Sequence, residues 1–346
     1  MSVTLAAMRY AISGGAGFLG LHLARHFVAQ SHEVRTLDVA PIDDPIDRDV
    51  TEIRGDMRDP GRARKLCEGT DVLVHAAAAL PIRGSRREIM SVNVDGTAAL
   101  LAAARDAGVR RVVYISSTAV YGVPRVHPIS EDFPLEGVGA YGESKIACER
   151  LVASSPLETV IVRPKTFLGR ERLGVFEILF DWIRDGRRIY VLGRGDNRYQ
   201  LLAVEDLVDA ISRACTADVA GDVLNVGATE FGTVRSDLEA LIAHAGTSSR
   251  LRPVPARPAE VALRALELAK LSPLGEWHYK TASRNSFVDV SKAERLLGWR
   301  ATKSNVETLV ENYDWYVANR ARMQAAGVTH RVPWNQQALA WLKRVS

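Results

Sequence analysis

Tyr141 and Lys145 stand four residues apart in Ala140-Tyr141-Gly142-Glu143-Ser144-Lys145. That spacing puts two side chains on one face of a helix. A phenol is a poor base near neutrality, because its ordinary pKa is about 10. An ammonium one turn away favours the phenolate, and a bound cationic cofactor favours it further. With a hydride acceptor and a donor on the reacting oxygen, such a pair can oxidise a carbinol. Tyr-x-x-x-Lys is also common on exposed helices, so its meaning depends on what lies upstream.

Upstream, Ser13-Gly14-Gly15-Ala16-Gly17-Phe18-Leu19-Gly20 joins a β-rich run, Arg9–Ser13, to a helical stretch, Leu19–Gln30. Gly14, Gly17 and Gly20 allow a tight turn and let backbone N–H groups approach a pyrophosphate at the helix N-terminus. Strand, turn and helix at the chain start favour dinucleotide binding over an ordinary glycine-rich turn. Asp38 follows Gly14 by 24 residues and ends the run Glu33–Val39. A carboxylate there accepts from an adenosine ribose and repels a 2′-phosphate, which selects NAD over NADP. The competing reading of Asp38 is a turn or cap. Asp56 and Met57 follow a short strand, where an adenine edge needs a contact. Ala76, Ala77 and Ala78 leave room for a cofactor against the backbone, while His75 reads as a packed residue and His22 as a helix-surface one.

The elements that must hold these groups alternate, short β-rich runs with helical stretches. The fold class is therefore α/β, a Rossmann-type doubly wound parallel sheet with a smaller, discontinuous C-terminal lobe. Residues 9–168 form the nucleotide-binding part, to which a segment around 200–230 returns. Residues 169–325 form mainly the substrate lobe, and 326–346 a tail with Trp334 and Trp341. The fully apolar run Val72–Ala77 is expected as a central strand, Asn93–Ala107 and Gly139–Ser154 as helices, and Leu251–Pro258 as a proline-punctuated connection before a helix at Ala259–Leu271.

Composition narrows the classes. The net charge of +4 over 346 residues comes without long blocks of one sign, so no nucleic-acid footprint is present. No apolar run approaches the ~20 residues of a membrane span. Cys67, Cys148 and Cys215 are widely spaced, which argues against a disulfide scaffold or a metal site and for a reduced, cytoplasmic protein.

Taken in order, the glycine turn, Asp38, Asp56-Met57, Asn93-Val94-Asp95-Gly96-Thr97, Ser116-Ser117-Thr118-Ala119-Val120-Tyr121-Gly122 and Tyr141–Lys145 resemble the extended short-chain dehydrogenase/reductase family. Within it they are most similar to NAD-dependent nucleotide-sugar epimerases and dehydratases. The resemblance implies Tyr141 as acid/base, Lys145 as its activator and a ribose ligand, Ser117 as the donor to the reacting oxygen, and Asn93 beside the cofactor. In the 4,6-dehydratases of the family the two positions after the serine are Asp and Glu; here they are Thr118 and Ala119, which cannot perform elimination. Decarboxylating members carry Glu and 3,5-epimerases Cys where Ala119 stands.

The resemblance also places Thr118, Thr166 and Arg198 at the substrate, Arg198 facing a phosphate. Thr166 stands where the family has asparagine, and Ser283-Arg284-Asn285 replaces a later Arg-x-Gly-Asp-like element. The leading expectation is an epimerase acting at C4 of a nucleotide sugar, as a homodimer. The alternatives are a dehydrogenase or reductase of a non-nucleotide alcohol or ketone, and a non-catalytic NAD-binding sensor.

Overall fold

The computed structural model describes residues 7–80, 85–171, 173–268, 281–325 and 343. The tail with Trp334 and Trp341, and the end of the helix expected at Ala259–Leu271, lie outside the described residues. Apolar runs without alternation build a parallel sheet buried on both faces. Its strands are Arg9–Ser13 (β1), Glu33–Asp38 (β2), Val50–Arg54 (β3), Val72–His75 (β4), Arg111–Ile115 (β5), Glu158–Pro164 (β6) and, later in the chain, Val223–Val226 (β10). They lie in the order β10-β6-β5-β4-β1-β2-β3, all parallel. The sheet reverses direction between β1 and β4, where open α/β sheets place their ligands.

Helices cover both faces. Phe18–Ala29 (α1) and Val204–Ala214 (α7) bury Leu23, Phe27, Leu207 and Ile211 on one side. Pro60–Cys67 (α2) and Gly96–Asp106 (α4) bury Leu66, Leu100 and Ala104 on the other, beside Gly139–Ala153 (α5). The helix expected from Asn93 begins earlier, with Arg86–Met90 (α3), and passes through one wide π turn, Ser91–Asp95, into α4.

The remaining chain packs a second core around Phe180, Ile183, Leu309, Tyr313 and Tyr316. Its short strands pair two by two: Thr166–Leu168 (β7) with Leu201–Ala203 (β9), and Arg188–Leu192 (β8) with Arg250–Val254 (β11). The stretch expected as a proline-punctuated connection is thus partly strand. Pro253 is tolerated because β11 has a neighbour on one side only. Helices Phe176–Arg184 (α6), Val234–Ala245 (α8) and Asn305–Ala325 (α11) complete it; Ala256–Leu268 (α9) follows β11, and Ser291–Leu297 (α10) buries Ala293 and Leu297 in the first core. Trp299 is buried in the first core, its indole donating to the Asp206 carbonyl of α7 at 3.0 Å.

One polar network is buried within this framework. Glu149 of α5 receives two bonds from the Arg163 guanidinium of β6, at 2.9 and 2.6 Å, and one from the Ser116 hydroxyl after β5. Arg163 also donates to the Tyr121 hydroxyl and the Glu131 carbonyl, at 2.7 and 2.8 Å. Both members of the ion pair are almost wholly out of water. Removing one partner strands the other charge, a loss of about 3–5 kcal/mol. Glu149→Ala should lower the free energy of unfolding by about that amount in urea titration, and an unchanged transition midpoint would contradict this account.

Candidate active site

The helix α5 carries Tyr141 and Lys145 to the carboxyl end of β5. Lys145 is buried (2% exposed), and its ammonium donates to the Ile115 carbonyl at 2.7 Å. It lies 4.8 Å from the Tyr114 ring centre and 5.9 Å from that of Tyr141. Burial pushes its pKa down to about 8, while Cys148 and Glu149 act in the opposite sense. Tyr141 is half-exposed at the surface of the same turn.

Ser117 stands two residues beyond Ile115. Its hydroxyl accepts from the Ala119 amide at 3.1 Å, capping the single 3₁₀ turn Thr118–Tyr121. That turn and α5 approach closely at Gly142, where an added Cβ would lie 3.0 Å from the Ala119 carbonyl oxygen and 2.9 Å from the Gly137 Cα. Glycine at this position lets the serine and the tyrosine come to the same strand end. Thr118 and Ala119 are both buried, and neither can carry a proton for elimination.

The glycine turn fits a dinucleotide by what it leaves out. A Cβ on Gly20 would fall 2.0 Å from the Gly14 carbonyl oxygen, and one on Gly14, whose φ is +76°, would meet Ala77 Cα at 2.8 Å. Backbone alone lines this cradle, with N–H groups at the start of α1. The Asp38 carboxylate sits beside it, accepting from the Ala16 amide at 3.2 Å and the Ala40 amide at 2.9 Å. Phe18 stacks on Phe167, ring centres 6.0 Å apart, while Leu19 is buried in the core under α1.

Other residues expected at the cofactor act differently in detail. The Asn93 amide is committed to protein: it accepts from the Ala79 amide (2.7 Å) and donates to the Ala79 carbonyl (3.2 Å) and the Ser144 hydroxyl (2.8 Å). It thereby fixes the stretch after Ala76, Ala77 and Ala78 against α5. Met57 turns its side chain into the core beneath Gly96, and Asp56 forms an ion pair with Arg58 at 2.5 Å that keeps the carboxyl below its usual range. His75 is packed, as expected: buried, bonded to Ser13 (2.7 Å) and Thr97 (2.8 Å), and held at about 3 by burial. His22 is half-buried rather than on the surface, edge-on to Phe18.

A second group of side chains gathers where β7 meets the segment before β9. The Thr166 hydroxyl is bonded to the Tyr199 hydroxyl at 2.9 Å. Arg198 is exposed, its guanidinium 4.4 and 4.9 Å from the ring centres of Phe231 and Phe287, with one nitrogen donating to the Phe231 carbonyl at 3.3 Å. The Asn285 side chain accepts from the Arg198 amide at 2.8 Å, and Ser286 bridges Tyr199. Lys165, Tyr199 and Ser286 were passed over in the sequence. The signal was a lysine directly after an apolar strand, at a position that folding buries.

Among the described residues no cluster of His, Cys, Asp or Glu could hold a metal ion, and no helix is long and apolar enough to cross a membrane. The three cysteines are buried and unpaired.

Comparison with known proteins agrees with this geometry. Residues 10–227 match the NAD dependent epimerase/dehydratase family. An uncharacterised protein of Sinorhizobium fredii, y4nG, is 35% identical over 96% of this chain and 84% of its own. A UDP-glucose 4-epimerase of Mycolicibacterium smegmatis is 28% identical over 89% of this chain and 98% of its own. The Bordetella bronchiseptica enzyme WbmG, solved in complex with NAD and UDP, shares the fold with a TM-score of 0.75 at 23% identity, over 90% of this chain and 96% of that one. A glycine cradle, a serine at the end of β5 and a Tyr–Lys pair on the helix beside it thus occur together in a chain that belongs to the NAD-dependent epimerase/dehydratase family.

Proposed function

We propose that the chain is an NAD-dependent epimerase that inverts a carbinol carbon, C4, of a nucleotide sugar. The observation that carries this reading is the anchoring of Lys145 to the Ile115 carbonyl, which sets its charge between Tyr141 and the strand end bearing Ser117. Bound NAD would supply reversible hydride acceptance. Gly14, Gly17 and Gly20 would hold its pyrophosphate, Asp38 its adenosine ribose and Lys145 its nicotinamide ribose. Tyr141 takes the hydroxyl proton as the carbinol is oxidised, and Ser117 donates to the oxygen on which charge develops. After the ketone turns over, Tyr141 returns the proton. Arg198, flanked by two phenyl rings, would meet the diphosphate.

Thr118 and Ala119 support a reaction without elimination. A reductase of a non-nucleotide ketone is the second reading, favoured by the Thr166 hydroxyl being engaged with Tyr199 rather than presented as a free amide. We also infer a homodimer through the exposed flanks of α4 and α5, and a cytoplasmic location, which three buried reduced thiols suit.

Purified protein incubated with UDP-glucose should yield the C4 epimer with no net NADH; stoichiometric NADH formation would select the dehydrogenase reading. Tyr141→Phe should reduce kcat by about 10²–10⁴-fold with the substrate still bound, the range for loss of a positioned acid/base. Activity should fall as pH rises through about 8, because the buried Lys145 ammonium loses its proton there and no longer favours the phenolate. An activity still rising well above that pH would exclude this role. Asp38→Ala should weaken NAD roughly 10- to 100-fold, as expected for lost hydrogen bonds to a charged group, and narrow its preference over NADP, both measured by titration calorimetry.

A further inference from the structure

Lys165 is the first residue beyond β6, the strand next to β5 and its Ser117. Its ammonium is 3% exposed, donates to the Ser286 hydroxyl at 2.7 Å and lies 5.1 Å from the Tyr199 ring centre. Among the described residues no carboxylate pairs with it. Burial is the sole influence on its pKa, which is pushed down to about 7. An ammonium has three donor hydrogens, and one bond to a hydroxyl leaves it under-satisfied. A buried cation in this state is unfavourable unless an anion joins it.

A neighbouring group is incomplete in a complementary way. His127, in the loop between Ser117 and α5, has a buried ring nitrogen, Nε2, without a hydrogen-bond partner. Its imidazole is held below the usual range by burial and then by the charge of Lys165. Its ring packs on Phe287 at 4.9 Å, the same phenyl ring that flanks Arg198. His127 and the uncompensated ammonium are thus near neighbours, and the Phe287 ring joins His127 to the exposed Arg198.

We propose that Lys165, with His127 beside it, binds an anionic oxygen group of the substrate at the carboxyl end of β6. The group is a carboxylate on the sugar or an oxygen of the diphosphate. This rests on the nucleotide-sugar reading for its ligand, and it makes Lys165 a specificity residue distinct from the proton-transfer pair. The anion completes the donors of Lys165, and binding restores its charge.

The test uses NAD-loaded protein and three probes, UDP-glucose, UDP-glucuronic acid and inorganic phosphate, with affinities read by calorimetry and by shift of the melting temperature. Lys165→Met and Lys165→Gln are both close to the lysine in volume. Without ligand each should melt at or above the native temperature, because an unpaired buried charge has been removed; a purely structural lysine would instead leave both variants less stable. At least one probe should bind the native protein, and both variants should lose that binding by tenfold or more. Loss confined to UDP-glucuronic acid assigns the sugar carboxylate, and equal loss for all three assigns a phosphate oxygen. If the native protein binds none of the probes, or the variants bind them as the native protein does, the proposal is overturned. Binding is read without turnover. Epimerisation of UDP-glucose at native rates in both variants, with native affinity for UDP-glucuronic acid and phosphate as well, would refute this role while leaving the epimerase reading intact. Lysine-dependent anion binding without sugar inversion would do the reverse.

Discussion

The structure depends on a carboxylate that has almost no access to water. Glu149 joins three elements at once, taking the Arg163 guanidinium from β6 and the Ser116 hydroxyl from the end of β5 onto the underside of α5. Each charge would be strongly unfavourable alone in this interior, so the three elements are stable only in the arrangement that satisfies both. The same helix carries Tyr141 and Lys145, and the same strand end carries Ser117. The buried ion pair thus fixes the height and rotation of the helix against the sheet, and Tyr141, Lys145 and Ser117 inherit that position.

Above this anchor the site is made mostly of backbone approaching backbone. Gly20 crosses over Gly14, Gly14 lies against Ala77, and Gly142 lies against Ala119. Small residues here are spatial requirements, since a single methyl group at Gly20 would overlap a carbonyl oxygen. Charges are few and each has a defined setting: Lys145 against a carbonyl, Asp38 against two amides, Lys165 against a hydroxyl. Burial pushes both lysines toward neutrality, because little of either remains in water.

The sheet was legible because its signals are local. Short apolar stretches such as Val72–Val74 and Val112–Ile115 mark β4 and β5, and a four-residue spacing marks a helix face. What escaped was decided by distant contacts. Strands β7 and β9 are three residues long and exist because they pair with each other. Helix α8 carries no strong apolar stripe, and is delimited by the Thr233 capping box and the left-handed Gly246. The three bonds of the Asn93 side chain, to Ala79 and Ser144, join residues that sequence neighbours could not reveal. Lys165 looked like any solvated lysine in sequence, because its burial is produced by Ser286 and Tyr199, more than 30 and more than 120 residues away in reverse order of mention.

The chain leaves the seven-stranded sheet after β6 and returns for its edge strand, β10. Between these points it forms β7 to β9, and afterwards it departs again for α8 before α10 packs back near β10. The backbone therefore passes between the two cores several times, and the β7–β9 ladder, with Leu202 in one core and Leu168 and Leu201 in the other, ties the crossings together. A swinging lobe needs its rotation absorbed at a few hinge residues, and repeated crossings deny it a single axle. A displacement of one core against the other would have to be absorbed at every one of these crossings at once.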